Sequence, residues 1–200
     1  MSRVMEQAQE FWDEQAASFD EQPDHGLRDP AVRAAWRDVL LPLMPSSPAA
    51  VIDLGCGTGS LAVLLAQAGH QVRGMDLSGK MLALAEQKAA AAGVRVDFQW
   101  GDAAAPPYPP ASCDVVLARH VLWALPDPAV VLGRWVGLLR PGGRLVLIEG
   151  RWFTGAGLSA VDCRSLVLRH RQEATVHRLD APSLWGGPIQ DERYALVSGH

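Results

Sequence analysis

Cysteine is scarce in this chain. Its three copies, Cys56, Cys113 and Cys163, lie far apart, with no CxxC pair and no histidine at ligand spacing, which argues against a disulfide framework and a zinc site. Free thiols suit a reducing, cytoplasmic setting. Positive charge is not in excess either: 22 Asp and Glu face 18 Lys and Arg, so the dense cationic surface needed to neutralise phosphates is missing and nucleic acid is not an expected partner. Long apolar runs are also lacking. The longest segment free of Asp, Glu, Lys and Arg, Leu54–Val72, is broken by glycines, Thr58, Ser60, Gln67 and His70, whereas a membrane span wants about 20 mainly apolar residues. Glu6, Glu10, Asp13 and Glu14 crowd the N-terminus, where a signal peptide carries basic and then apolar residues, so neither export nor membrane association is expected.

What is present is ordinary globular composition, 48% apolar over 200 residues, enough for one domain with its own core. Residues 1–48 stand apart: Phe11, Trp12, Phe19 and Trp36 are spread among acids and glutamines, and Pro42, Pro45 and Pro48 punctuate the end. This segment reads as two helices and a linker. Residues 49–150 alternate apolar runs with amphipathic stretches, the pattern of a βαβ fold. Strands are expected at Ala49–Leu54, Gln71–Met75, Val94–Trp100, Asp114–Ala118 and Arg144–Glu149. Between them, Gly69 and Gly93 stop helices, Ser78 and Asp127-Pro128 start them, and Pro141-Gly142-Gly143 is expected to end the helix before the fifth strand. In residues 151–200 a weaker helix covers Leu158–Arg169, and β-type runs at Ala174–Leu179 and Arg193–Ser198 are too close for a parallel crossover, so they pair as an antiparallel hairpin. The expected fold is α/β: a Rossmann-like, doubly wound, seven-stranded, mostly parallel sheet with an antiparallel C-terminal hairpin and an N-terminal helical lid.

The most informative segment is Val51-Ile52-Asp53-Leu54-Gly55-Cys56-Gly57-Thr58-Gly59. A buried strand runs directly into a glycine-rich turn and a helix, where backbone N–H groups and close approach suit a ligand. A dinucleotide fingerprint reads GxGxxG; here the third glycine comes one place early and Ser60 takes its position. Asp53 would repel a pyrophosphate and attract an ammonium group, which favours a ligand bearing an amino acid. Asp76 ends the second strand 21 residues after Gly55, where an acid meets ribose hydroxyls in doubly wound folds. Asp102, in Gly101-Asp102-Ala103, follows the third strand in the same way.

These segments, VIDLGCGTG, MDLS at 75–78, GDA at 101–103 and LRPGGRLVL at 139–147, resemble in order and spacing the motifs of the class I S-adenosylmethionine-dependent methyltransferases, in particular their small-molecule branch. The resemblance implies S-adenosyl-L-methionine as cofactor and a small-molecule substrate. It implies that Gly55, Cys56, Gly57 and Gly59 border the methionine part together with Asp53, that Asp76 holds the ribose hydroxyls, that Asp102 with Ala103 receives the adenine amino group, and that Leu77 and Met81 sandwich the adenine ring.

The fourth strand delivers Arg119 and His120 to the same sheet edge. Methyl transfer from a sulfonium is a displacement with a good leaving group, so alignment and exclusion of water carry most of the work, and a base helps only when the accepting atom must lose a proton. His120 is the candidate base. Arg119 is placed at the cofactor, either orienting an anionic group or forming a structural ion pair. Trp123, Trp152 and Phe153, with Phe11, Trp12 and Phe19, are candidate walls of the site. Ala105-Pro106-Pro107-Tyr108 lacks the polar first residue with which enzymes methylating nucleic-acid amino groups hold their target, and it precedes the fourth strand; it reads as a rigid loop. Two other readings stay open: a nicotinamide-dependent oxidoreductase, and a non-catalytic protein that binds S-adenosylmethionine. Monomer and homodimer are both compatible with the sequence, and no pattern singles out O, N, C or S as the accepting atom.

Overall fold

The computed structural model describes residues 3–199. The elements follow in the order α1 (Arg3–Phe19), α2 (Pro23–Gly26), α3 (Pro30–Leu43), β1 (Ala50–Leu54), α4 (Ser60–Gln67), β2 (Gln71–Asp76), α5 (Gly79–Ala91), β3 (Asp97–Trp100), β4 (Cys113–Arg119), α6 (Pro128–Gly137), β5 (Leu139–Arg151), α7 (Ala160–Val167), β6 (Thr175–Arg178), α8 (Pro182–Trp185) and β7 (Glu192–Ser198). They build one seven-stranded sheet in the order β3-β2-β1-β4-β5-β7-β6. Pairings among β1 to β5 are parallel, and β7 runs antiparallel to both β5 and β6.

Side-chain alternation along the central strands sorts the core into two layers. Val51, Val115, Leu117, Val146 and Ile148 pack on the side of α3, α4 and α8. Ile52, Val116, Ala118, Leu145 and Leu147 face α6 and α7. A parallel sheet covered on both faces needs strands that are apolar throughout, which is why these runs read as continuous rather than alternating. The helix starts follow the capping logic of the sequence: Ser78 accepts from Met81 N–H and Asp127 from Val130 N–H, each such cap being worth about 1 kcal/mol.

Three details differ from the sequence expectation. The N-terminal segment holds three helices rather than two, α2 being a single turn opened by Pro23. Helix α6 stops at Gly137, closed by Leu138, and Pro141-Gly142-Gly143 lies inside the irregular start of β5, because Leu139 already pairs with Cys113 before the register shifts at Val115. The one-turn α8, too short to show a period, lies in the connection between β6 and β7, which form the expected antiparallel C-terminal hairpin. Sequence order reverses across β1, with β2 on one side and β4 on the other, and that switch point is where a doubly wound sheet opens a crevice beyond its strand ends.

Candidate cofactor and acceptor site

The strand ends at this crevice converge on one cavity of about 600 Å³. Asp53 lies one residue before the end of β1, Asp76 closes β2, and Asp102 follows β3; all three line the cavity. The loop after β1 reaches it through Gly55 at φ +71° and Gly57 at φ +53°. A Cβ at Gly55 would sit 2.4 Å from Val121, and one at Gly57 3.2 Å from Phe19, so the loop passes where no side chain fits. The Asp76 carboxylate accepts Gly57 N–H at 2.8 Å and Ser78 N–H at 2.9 Å, which ties the glycine loop to the start of α5. Asp102 accepts Ala104 N–H at 2.8 Å. Cys56, Leu77, Met81 and Ala103 complete this end. Gly59 does not line the cavity; its Cβ position faces Ala85 and Phe98, so it packs the loop against α5 and β3.

Burial dominates the electrostatics. It raises the Asp53 carboxyl to about 7, with Asp76 pushing the same way and Arg119 opposing. Asp76 is also raised by burial, against the pull of its backbone N–H partners. Arg119 is buried beneath this end, its guanidinium 5.3 Å from the Trp36 ring centre and donating to the Asp24 carbonyl. It therefore holds the N-terminal segment while facing the cavity.

The other end is aromatic. His120 adopts φ +58° just past β4, held by its N–H on Ile148 O at 2.8 Å and by its C=O, which accepts Trp123 Nε1–H at 3.0 Å. A side chain in the left-handed region is strained unless neighbours hold it, and such strain gathers at functional sites. Neither imidazole nitrogen has a hydrogen-bond partner among the described residues. Burial, then the charges of Arg119, Arg193 and His25, depress its pKa well below the usual value, so the ring is neutral. Trp152 stands edge-on to it at 5.3 Å, and Trp123 is 5.2 Å from Trp152. Phe153, expected as a wall, is 89% exposed and lies outside the cavity; its backbone turns away where Phe153 N–H donates to Asp191.

Helix α1 covers the opening with Ala8, Phe11, Trp12 and Phe19. Asp13 accepts from Ser78 Oγ and Lys80 N–H. Asp20 takes Thr58 Oγ and the Lys88 ammonium, which also donates to Thr58 and Ser60. Two acids of the N-terminal segment thus tie it to the start of α5, to the glycine loop and to the last turn of α5.

Comparison with known proteins decides the lineage. Residues 52–147 match the methyltransferase-domain family. The chain is 34% identical over 146 residues to the ubiquinone biosynthesis O-methyltransferase of Ralstonia nicotianae, covering 72% of this chain and 58% of that protein. It is 38% identical over 140 residues to the 27-O-demethylrifamycin SV methyltransferase of Amycolatopsis mediterranei, covering 68% of this chain and 48% of that one. This chain therefore carries a methyltransferase domain. A geranyl diphosphate methyltransferase solved with GPP and sinefungin superposes with a TM-score of 0.69 at 18% identity, covering 83% of this chain and 78% of that one, a likeness of fold. The alignments span about half the length of the curated relatives.

S-adenosylmethionine, the cofactor of this methyltransferase family, fits the donor set. A cation with vicinal hydroxyls and an exocyclic amine needs acceptors, and the ends of β1, β2 and β3 offer the carboxyls of Asp53, Asp76 and Asp102. Backbone bonds leave each of the Asp76 oxygens a further lone pair. Among the described residues no cluster of His, Cys, Asp and Glu could hold a metal, and no helix is long and apolar enough to cross a membrane. Sequence reasoning did not single out His25, Glu149 or Arg193 in this chain. Glu149 carried a legible signal, a lone acid ending the apolar run Leu145–Ile148 as Asp53 ends its own. Arg193 and His25 carried none, because a reversed strand and a one-turn helix bring them to the cavity from far along the chain.

Proposed function

We propose that this protein transfers a methyl group from S-adenosylmethionine to a small-molecule acceptor by direct displacement. The observation that carries the reading is a single cavity with Asp53, Asp76 and Asp102 at one end and an unpartnered imidazole between indole rings at the other. When bound, the cofactor supplies an electrophilic methyl carbon on a positively charged sulfur. Asp53 faces its ammonium group, Asp76 the ribose hydroxyls and Asp102 the adenine amine, while Leu77 and Met81 flank the base. Gly55 and Gly57 let the backbone approach, and α1 keeps water from the reacting centre. His120 faces the acceptor and takes its proton at an imidazole nitrogen when the accepting atom carries one.

Equilibrium binding tests this directly. Calorimetry should show S-adenosylmethionine binding and no heat from a nicotinamide dinucleotide. Asp76→Ala removes charge-assisted hydrogen bonds worth about 1.5–3 kcal/mol each, so affinity should fall by about a hundredfold or more. Wild-type affinity in that variant would remove the ribose assignment, and binding of the dinucleotide instead would remove the reading altogether.

A further inference from the structure

We propose that Arg193 sets the acceptor class of this cavity, making it select an aromatic hydroxyl, methylated on oxygen, in preference to an amine. The inference rests on the methyl-transfer reading above and goes on to name what occupies the aromatic end. Arg193 opens β7, and because that strand is reversed its first residues lie at the same sheet edge as the ends of β1, β2 and β4. One edge of the guanidinium is held by Asp191 at 2.9 Å, both side chains being only about one-tenth exposed. Asp191 also accepts Phe153 N–H at 2.6 Å, fixing the loop that carries Trp152. The cation sits 5.1 Å from the Trp152 ring centre and 5.0 Å from that of Trp185. Those same two rings flank His120 at 5.3 and 6.3 Å. Imidazole and guanidinium therefore share one aromatic frame and one cavity, and the Arg193 Nε–H is buried with no partner among the described residues.

This combination has a chemical direction. Indole walls offer flat apolar contact to an aromatic ring. The imidazole nitrogens, neutral acceptors, and the Arg193 Nε–H, a donor on a cation, match an O–H that gives up its proton beside a group that stabilises the resulting negative charge. An amine is mismatched at every stage: its protonated form meets Arg193 and Arg119 as a like charge, and its methylated product is cationic at the moment the bond forms. With an oxygen acceptor the balance is simple. The O–H bond breaks and its proton passes to His120, the oxygen lone pair forms the bond to the methyl carbon, and the electron pair of the broken C–S bond remains on sulfur. His120 then returns the proton to solvent. Because its imidazole is a weak base in this setting, making the hydroxyl more acidic through Arg193 matters more than the strength of the base.

The test uses the full chain saturated with S-adenosylhomocysteine, so that the cofactor end is filled, and para-nitrophenol as a probe whose phenolate absorbs in the visible. Bound probe should titrate about one pKa unit below free probe, a tenfold shift towards phenolate. Arg193→Met should abolish the shift while leaving S-adenosylhomocysteine affinity within about twofold, which also reports that the variant is folded. Arg193→Lys, which keeps the charge without the Nε–H, should retain only part of the shift. Matched para-nitrobenzylamine should bind at least about tenfold more weakly than the phenol. An unshifted or raised pKa, the same shift in Arg193→Met, no phenol binding, or an amine that binds as tightly would each overturn the assignment. Failure of S-adenosylhomocysteine itself to bind would instead overturn the methyl-transfer reading on which it stands.

Discussion

Among single residues, Asp53 and His120 show how burial writes chemistry. With its carboxyl raised to about 7, Asp53 is largely protonated in mildly acidic solution and gains its charge as pH climbs through neutrality. A cofactor ammonium group wants that charge, and an α-amino group stays protonated up to about pH 7.7. Cofactor affinity should therefore rise from about pH 5.5 to 7, with protons released on binding, and then level off. Calorimetry across that range reads it, and Asp53→Asn should flatten the slope; an equally steep rise in the variant would assign the titration elsewhere. For His120, whose nitrogens have no partner among the described residues, replacement by Gln keeps a polar group but removes the proton acceptor. Turnover on an oxygen acceptor should then fall about a hundredfold or more, with cofactor affinity unchanged. Loss of affinity in place of loss of turnover would make the ring a wall of the cofactor end.

At the scale of elements, the short 3-10 turn Leu122–Ala124 after β4 depends on a neighbouring strand. Glu149, fully buried near the end of β5, accepts Val121 N–H at 3.1 Å and Leu122 N–H at 2.9 Å through one oxygen, while the other has no partner among the described residues. Burial raises its carboxyl to about 8. Since the folded pKa exceeds the ordinary value, the unfolded chain releases this proton first, and stability contributed by Glu149 is lost as pH rises from about 4.5 to 8. Glu149→Gln, which resembles the protonated form, should match wild type near pH 4.5 and melt at least about 2–4 °C higher near pH 8.5. Thermal unfolding at the two pH values checks this, and equal differences at both would show that the carboxyl does not titrate in that window.

Much of this arrangement was legible in the sequence, and the reason differs from element to element. The strand that carries Asp53 and turns through Gly55 and Gly57 declares itself because backbone conformation, burial and charge leave few other residues possible. Asp76 and Asp102 follow from the period of a βα unit. Pro141-Gly142-Gly143 misled as a helix stop because a turn signal does not say which neighbour it serves, and here β5 pairing had already begun at Leu139. His25 and Arg193 were illegible since no local pattern marks a residue whose role arises from contacts across the chain.

Taken as a whole, the molecule lines its cavity with residues of its own first helix. Phe19 lies against Gly57, and Asp13 and Asp20 bind the start of α5, the glycine loop and the Lys88 ammonium. Removing residues through Arg28 should weaken cofactor binding by about tenfold or more, since the aromatic cover and the polar ties go together. An unchanged dissociation constant by calorimetry would mean that α1 covers the site without closing it. The reversed direction of β7 has a wider consequence. On the proposed reading, Arg193 brings one acceptor determinant from a strand that runs against those carrying Asp53 and Asp76. Exchanging Arg193 is thus the natural way to change the acceptor while the strand ends that carry Asp53, Asp76 and Asp102 are inherited intact.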